Sequence, residues 1–520
     1  MNYERVLSLM MTVLSLLPIV SLLICLVLIK LPVTKSGAIS LGIALLIALV
    51  FYGFSFFGLS VAVGKALSLA LFVSLIVWCA LFLYHLVDDF KAIEVINKNI
   101  VVFVGDKFVQ FLILSWLFTA FLQGIAGFGV PIVIITPILI SLGFDKIKAL
   151  SAALIGHSWA VTFGSMGSAF FTIQMITGIE PNELGFPAWI FNTSAHLLTG
   201  IGVCWIYDGL KGIKKGISYV LPVSAVMAFV QFFVIYFEMY ALATLVTALT
   251  GLAAMYGLYR LRIKTSGKPV LYAGKLTLLQ AVLPYAVILV LLLSFQFIPA
   301  EVRNNISVAF KFPETVTSLG YEVQAEAGFS RIRLFGHPAV VLLIAAVVAV
   351  VTYKRAGVWD KSVYKGAVKK TLKKGIPATL ALLALGNMSL IMMDSGMMLQ
   401  LAKTVADLTG GLYPLFSPFI GSLASFLTGN NTNSNVMFGA FQQTIAQRLE
   451  VSQAVMSAAQ TISGSVGVSI SPTLVLMGAL SSKQQGSESL IYKKVLPVII
   501  VIALIMGIIN YVVINYLILQ

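Results

Sequence analysis

A chain of 520 residues in which 59% are hydrophobic and only 10% charged has a mean hydropathy of +1.00. Soluble domains carry about 25% charged residues, so this composition excludes a soluble globular protein and predicts a polytopic one solvated by lipid. The net charge of +15 predicts no nucleic-acid surface, because Lys and Arg fall in short stretches between apolar runs, as in the cytoplasmic loops of membrane proteins.

Taken in order, apolar runs long enough to cross a bilayer, about 20 residues, lie at roughly 7–29, 37–58, 63–86, 108–123, 149–175, 187–206, 218–238, 240–258, 276–298, 336–353, 376–393 and 495–517. With interrupted stretches added, the expected fold is an all-α membrane protein of about 12–14 transmembrane helices. The first run follows Arg5 without an A-x-A-like site, which reads as a span and not as a cleaved signal peptide. Cys25, Cys79 and Cys204 sit inside apolar runs and have neither disulfide nor metal spacing. Basic clusters at Lys30/Lys35, Lys211–Lys215, Arg260–Lys275, Lys354–Lys374 and Lys483–Lys494 can share one side, which the positive-inside rule makes cytoplasmic. The EPNE loop at 180–183 and the hydrophilic segment 297–335 are then external. The chain is expected to be one integral unit over 1–520, with 299–335 as its external loop.

Two stretches break the pattern. In FLQGIAGFGVPIVIITP (121–137), Gly124, Gly127, Gly129 and Pro131 crowd an apolar run. Glycine costs a helix interior about 1 kcal/mol and proline about 3, so a broken segment is expected, with a half-helix starting near Gly129. Such a start points N–H groups and a positive dipole end at a bound anion. The alternative is a glycine-lined helix contact. The second stretch, FLTGNNTNSNVMF (426–438), carries Asn430, Asn431, Thr432, Asn433, Ser434 and Asn435 in succession. Six polar side chains flanked by apolar sequence read as a ligand-binding turn, the alternative being a surface loop.

FLQG (121–124) and FLTG (426–429) can be superposed without a gap through Asp145 and Glu450, and GSMG (164–167) echoes GSVG (464–467). That predicts an inverted repeat whose cores are 108–258 and 376–517, with the two broken segments as its paired site. Gly124, Gly127 and Gly129 would shape one half and Thr432, Ser434 and Asn435 would bond a carboxylate. Gln123, Asn430, Asn431 and Ser165 would tune the site. Ionisable residues inside spans are costly and few. Asp394 (LIMMDSGMM), read as an isolated mid-span carboxylate, is the first candidate for ion coupling, followed by Glu238 and His157. A packing histidine and an interfacial glutamate are the plain alternatives for the last two. There is no H-E-x-x-H, G-x-S-x-G or P-loop, so no enzyme and no cofactor is expected.

At these residues the chain resembles the lactate permease family, prokaryotic uptake carriers for lactate and glycolate. GIAGFGVPIVI (124–134) followed by AVTFGSMG (160–167) is similar to its first pattern, G-A-A-G-F-G-x-P and then P-V-A-F-G-x-M-G. LTGNNTNSNVMFGAFQ (427–442) and AAQTISGSVGVSISP (458–472) are similar to its second, T-G-S-D-T-S-S-N-A-L-F and then A-A-N-T-x-G-G-V-x-G-K-x-I-S-P. The resemblance implies import of a small hydroxy-monocarboxylate such as lactate or glycolate by proton symport, in the plasma membrane of a prokaryote. Three family charges are missing: glutamate, aspartate and lysine give way to Gln123, Asn431 and Val468. Sodium coupling, uncoupled transport of another small organic anion, and an anion-selective channel are therefore the alternatives.

Overall fold

The structure is a computed structural model describing residues 2–517 apart from 126, 128, 263–273, 297, 299–301, 303, 304 and 336. Ala126 and Phe128 of the first broken stretch, Lys264 and Lys268 of the third basic cluster, and part of 297–304 in the expected external loop lie outside the described residues.

The chain opens with α1 (Asn2–Leu23), α2 (Val33–Phe51), α3 (Phe56–Asp89) and α4 (Ala92–Phe103). Ser55 starts α3 by accepting from Gly58 N at 3.0 Å, a standard way to satisfy a first-turn donor. α5 (Lys107–Ile125) is buried from Phe108 to its end and so runs through the middle of the bundle. Most of α1 and α2 instead faces outward, where lipid tails solvate leucine and isoleucine. Then come α6 (Val130–Ser141), α7 (Lys146–Gly156), α8 (Gly164–Thr177), α9 (Pro181–Tyr236), α10 (Ala243–Arg262) and α11 (Leu278–Gln296). A strap follows, in which β1 (Ser307–Phe312) pairs antiparallel with β4 (Glu326–Arg333), and β2 (Thr315–Val316) with β3 (Glu322–Val323). The otherwise all-α protein thus carries two small two-stranded sheets, the β2–β3 hairpin nested between β1 and β4, where a plain external loop was expected. The chain ends with α12 (Pro338–Arg355), α13 (Lys361–Asp394), α14 (Met397–Thr409), α15 (Tyr413–Thr428), α16 (Asn431–Arg448), α17 (Gln453–Gly467), α18 (Pro472–Ser481) and α19 (Glu488–Val512).

Among the described residues eleven helices are long and apolar enough to cross a membrane, or twelve with the bent pair of α17 and α18 as one span. One of these, α9, is counted once but holds both spans expected at 187–206 and 218–238, as two legs that fold back at Asp208 and Gly209, where the backbone leaves the helical region. Across the legs Trp189 Nε1 donates to Ala228 O at 2.9 Å and Asn192 Nδ2 to Gln231 Oε1 at 3.2 Å.

The two halves show the same succession of elements. Left-handed Gly129 (φ 78°) precedes α6, and left-handed Gly429 (φ 76°) precedes the α16 cap. A left-handed turn residue follows each helix, Gly143 or Glu450. Next come the capped helices α7 and α17, one 3-10 turn (158–160 or 468–470) and a further break. The register differs from the gapless superposition. N-cap Asp145 matches N-cap Ser452 and not Glu450, and Gly429 matches Gly129 and not Gly124. The connections differ in length between the halves, so no single offset aligns both breaks.

Candidate functional site

The breaks of both halves meet in the buried centre. α6 starts at Gly129, whose positive φ suits glycine alone at no steric cost. Pro131 falls in the first turn, where the missing N–H is no loss. After Gly429, Asn430 caps α16, its Oδ1 accepting from Asn433 N at 3.0 Å. The polar run read as a turn is therefore mostly the first turns of a helix, and residues 431 to 435 divide between cavity and packing. On the other side of the site Ser165, Met166 and Gly167 are all left-handed, so α8 effectively resumes after them. Gly127 N donates to Ser165 Oγ at 2.7 Å, joining the two breaks of the first half.

Between these ends lies a cavity of about 30 Å³, room for roughly two waters. The first half contributes Gln123, Gly129, His157, Ser165 and Ser168 to its lining, and the second contributes Asn430, Asn431, Thr432 and Val468. Helix N-termini leave first-turn N–H groups without intrahelical partners, and those of α6 and α16 both open here. Among the described residues His157 is the one titratable side chain in this lining. Its Nδ1 lies 3.1 Å from Ala153 O and 2.8 Å from Leu154 O, contacts that assign the proton to Nδ1 and leave Nε2 as an acceptor.

A cross-half network holds the cavity together. Asn431 Nδ2 donates to Thr461 O at 2.8 Å and Thr162 Oγ1 at 3.1 Å, and Thr162 Oγ1 donates to Thr461 O at 2.9 Å. Ser465 Oγ donates to Ser158 O and accepts from Val161 N at 3.1 Å and Thr162 N at 3.2 Å. Thr162, Thr461 and Ser465 were not singled out beforehand. Their only signal was the density of hydroxyl residues in AVTFGSMG and AAQTISGSVG.

The expected site residues thus divide. Gln123, Gly129, His157, Ser165, Asn430, Asn431 and Thr432 share the lining, and Gly127 sits beside it against Ser165. Gly124 packs on the α10 backbone, where an added Cβ would come within 3.1 Å of Leu245 N and Cα. Ser434 and Asn435 turn into the packing. Ser434 Oγ accepts from Gln460 Nε2 at 3.2 Å, and Asn435 Nδ2 donates to Ala169 O at 2.9 Å and Thr461 Oγ1 at 2.8 Å.

The ionisable candidates lie elsewhere. Asp394, expected to be isolated, ends α13 beside the fully buried Lys65 of α3, whose Nζ is 3.4 Å from Asp394 Oδ2 and 2.7 Å from Glu326 Oε1. The close packing of α3 against α13 brings residues far apart in sequence together, a pairing that neither local run announces. Glu238 (φ 56°) lines a second cavity of about 930 Å³, a vestibule bordered by Glu180, Glu326 and Arg331. A row of packed rings runs from the vestibule lining to the residues just before Ser165: Phe72 and Phe171 meet edge-on at 6.0 Å, Phe171 and Phe170 edge-on at 5.9 Å, and Phe170 stacks on Phe163 at 5.0 Å.

A family model described as L-lactate permease matches residues 11–518. Glycolate permease GlcA of Escherichia coli K12 is 26% identical, the match covering 95% of this chain and 94% of that protein. The L-lactate permease of Salmonella typhimurium is 26% identical and that of Escherichia coli O6:H1 27%, each match covering 92% of this chain and 91% of the relative. A solved structure, the Alcanivorax borkumensis YdaH transporter, aligns over 87% of each chain at 16% identity with a TM-score of 0.46.

Proposed function

The chain belongs to the L-lactate permease family, and on that premise we propose that it is a secondary carrier importing lactate, glycolate or a similar small 2-hydroxy monocarboxylate by proton symport. Its relatives are named as permeases for L-lactate and glycolate, which favours a transporter over an enzyme. The multi-pass protein would sit in a prokaryotic plasma membrane with its basic loops inside and the vestibule outside, the orientation the positive-inside rule gives.

One observation carries the substrate reading: two helix N-termini, amides and hydroxyls converge on a cavity that no charged residue lines among the described residues. Each helix start presents the equivalent of about half a positive charge. A carboxylate would lie against the starts of α6 and α16, with the Gln123 and Asn430 amides beside it. The substrate hydroxyl would donate to His157 Nε2. A single small anion is the ligand such a site can neutralise without an arginine or lysine.

Gln123, Asn431 and Val468, the three positions where the family pattern carries charge, all line this cavity. Together they replace two acids and one base by neutral groups, so the site changes from net negative to neutral. Among the described residues His157 is then the one titratable side chain left in it, and we place the driving proton outside the cavity. The present volume is too small for lactate. The loaded state would be wider, with the cores 108–258 and 376–517 parting and reclosing as alternate sides gain access.

Counterflow in proteoliposomes tests the carrier. Trapped lactate should accelerate entry of labelled lactate at least tenfold over empty vesicles. Entry indifferent to trapped substrate would make the protein a channel, and label recovered in altered form would make it an enzyme.

A further inference from the structure

The proposed function leaves one buried ionic cluster unused. Lys65 is fully buried in the middle of an apolar run of α3, and its ammonium meets two carboxylates, Glu326 at 2.7 Å and Asp394 at 3.4 Å. With all three ionised the cluster carries one excess negative charge. Neither oxygen of Asp394 accepts a well-aligned hydrogen bond among the described residues, so the charge of Lys65 is its main compensation. Burying an uncompensated carboxylate is costly, and adding one proton brings the cluster to neutrality.

We propose that Lys65, Asp394 and Glu326 form the proton-binding site of this carrier, loaded from the vestibule. The inference rests on the carrier reading and adds to it the location of the coupled ion. On loading, a proton from vestibule water adds to one carboxylate oxygen, giving a neutral carboxyl, and the Lys65 ammonium stays paired with the remaining carboxylate.

Access and linkage both follow from position. The Glu326 side chain is 34% exposed and lines the vestibule, as does Met393, the neighbour of Asp394. Glu326 belongs to the β strap, so loading changes what ties the strap to the bundle. Asp394 stands at the turn between α13 and α14, next to left-handed Gly396 (φ 88°), and both helices pack on α16, whose first turn lines the substrate cavity. The charged or titratable groups facing Asp394 are Lys65 from α3, Glu326 from β4 and Tyr321 from the turn before β3. The Tyr321 hydroxyl is pushed up by burial and then by Asp394, so it stays a neutral neighbour.

The test uses the full chain in proteoliposomes, with Glu326→Gln and Asp394→Asn. Lactate accumulation driven by an imposed pH gradient should fall at least tenfold in both, and counterflow at equal pH should stay within twofold of the unaltered protein. Accumulation at the unaltered level in either variant overturns the proposal, as does accumulation driven by sodium and indifferent to the pH gradient. If Asp394→Asn does not reach the membrane, the partly exposed Glu326→Gln decides. A merely structural ion pair would be restored by removing both charges, so recovery of accumulation in Lys65→Met/Asp394→Asn also overturns it. Loss of counterflow in the unaltered protein would instead refute the carrier reading itself.

Discussion

Asn431 reaches across the molecule: its side-chain amide, on the second half, donates to the Thr162 hydroxyl of the first at 3.1 Å and to Thr461 O at 2.8 Å. The resemblance puts an aspartate at this position. A carboxylate there would face the Thr461 carbonyl with no proton to offer and would add a negative charge to the cavity lining. Asn431→Asp should therefore raise the half-saturating lactate concentration in counterflow at least tenfold, or about 1.4 kcal/mol. An unchanged value would place Asn431 outside the substrate site.

Ser465 offers a test of the contact between halves from a side chain that is itself outside the cavity lining. Its hydroxyl accepts from Val161 N and Thr162 N and donates to Ser158 O, all within the buried break of the first half. Ser465→Ala leaves these groups without that partner, and an unsatisfied buried group costs about 1–3 kcal/mol. The melting temperature in detergent should drop by several degrees. Ser465→Thr, which retains a hydroxyl, should recover part of the loss if the extra methyl is accommodated.

How far the sequence could be read follows from the kind of signal each feature leaves. The first break is legible at Gly124, Gly127, Gly129 and Pro131 because glycine and proline are costly in a helix interior, and the second because six polar side chains interrupt an apolar run. The structure places a left-handed residue at each, Gly129 and Gly429. Ser434 and Asn435 were assigned to the ligand because a polar run looks like a turn. Once α16 begins at Asn431, they lie about one helical turn further on and meet Gln460 and Thr461. Asp394 looked isolated because Lys65 belongs to a different apolar run, and only the packing of α3 on α13 pairs them. The fold-back at Asp208 and Gly209 was legible in another way, since it falls between the apolar runs 187–206 and 218–238, next to the basic cluster Lys211–Lys215.

The left-handed glycines make a paired comparison. An alanine at Gly129 would take a φ of 78°, and its Cβ would come within 2.7 Å of Leu474 Cδ2 and 2.8 Å of Met477 Cε. Gly357 has a similar φ of 71° with nothing within 4 Å of the added atom, at the basic end of α12. Both substitutions pay the left-handed strain of about 1–2 kcal/mol. Gly129→Ala should lose more thermal stability and cut counterflow at least tenfold, whereas Gly357→Ala should keep its transport rate. Equal transport rates in the two variants would show that the start of α6 is not part of the site.

The last prediction concerns the row of rings that leads from the vestibule to the residues before Ser165 and supposes that it closes the site from that side. Phe171 lines the vestibule, and its ring meets Phe72 at 6.0 Å and Phe170 at 5.9 Å, while Phe170 stacks on Phe163, two residues before Ser165. Removing the Phe171 ring takes the middle out of that stack and leaves a cavity that the neighbouring rings fill only in part. A cysteine at Ser165, in a chain whose three native cysteines are replaced, reports whether water reaches the site. Phe171→Ala should raise its rate of modification by a membrane-impermeant maleimide at least tenfold from the vestibule side. The same variant should lower the steady-state lactate gradient, because a site open to the vestibule while it exchanges with the other side lets substrate leak back. An unaltered labelling rate would mean that closure depends on the meeting of the α6 and α16 ends, with the aromatic stack a packing feature beside it.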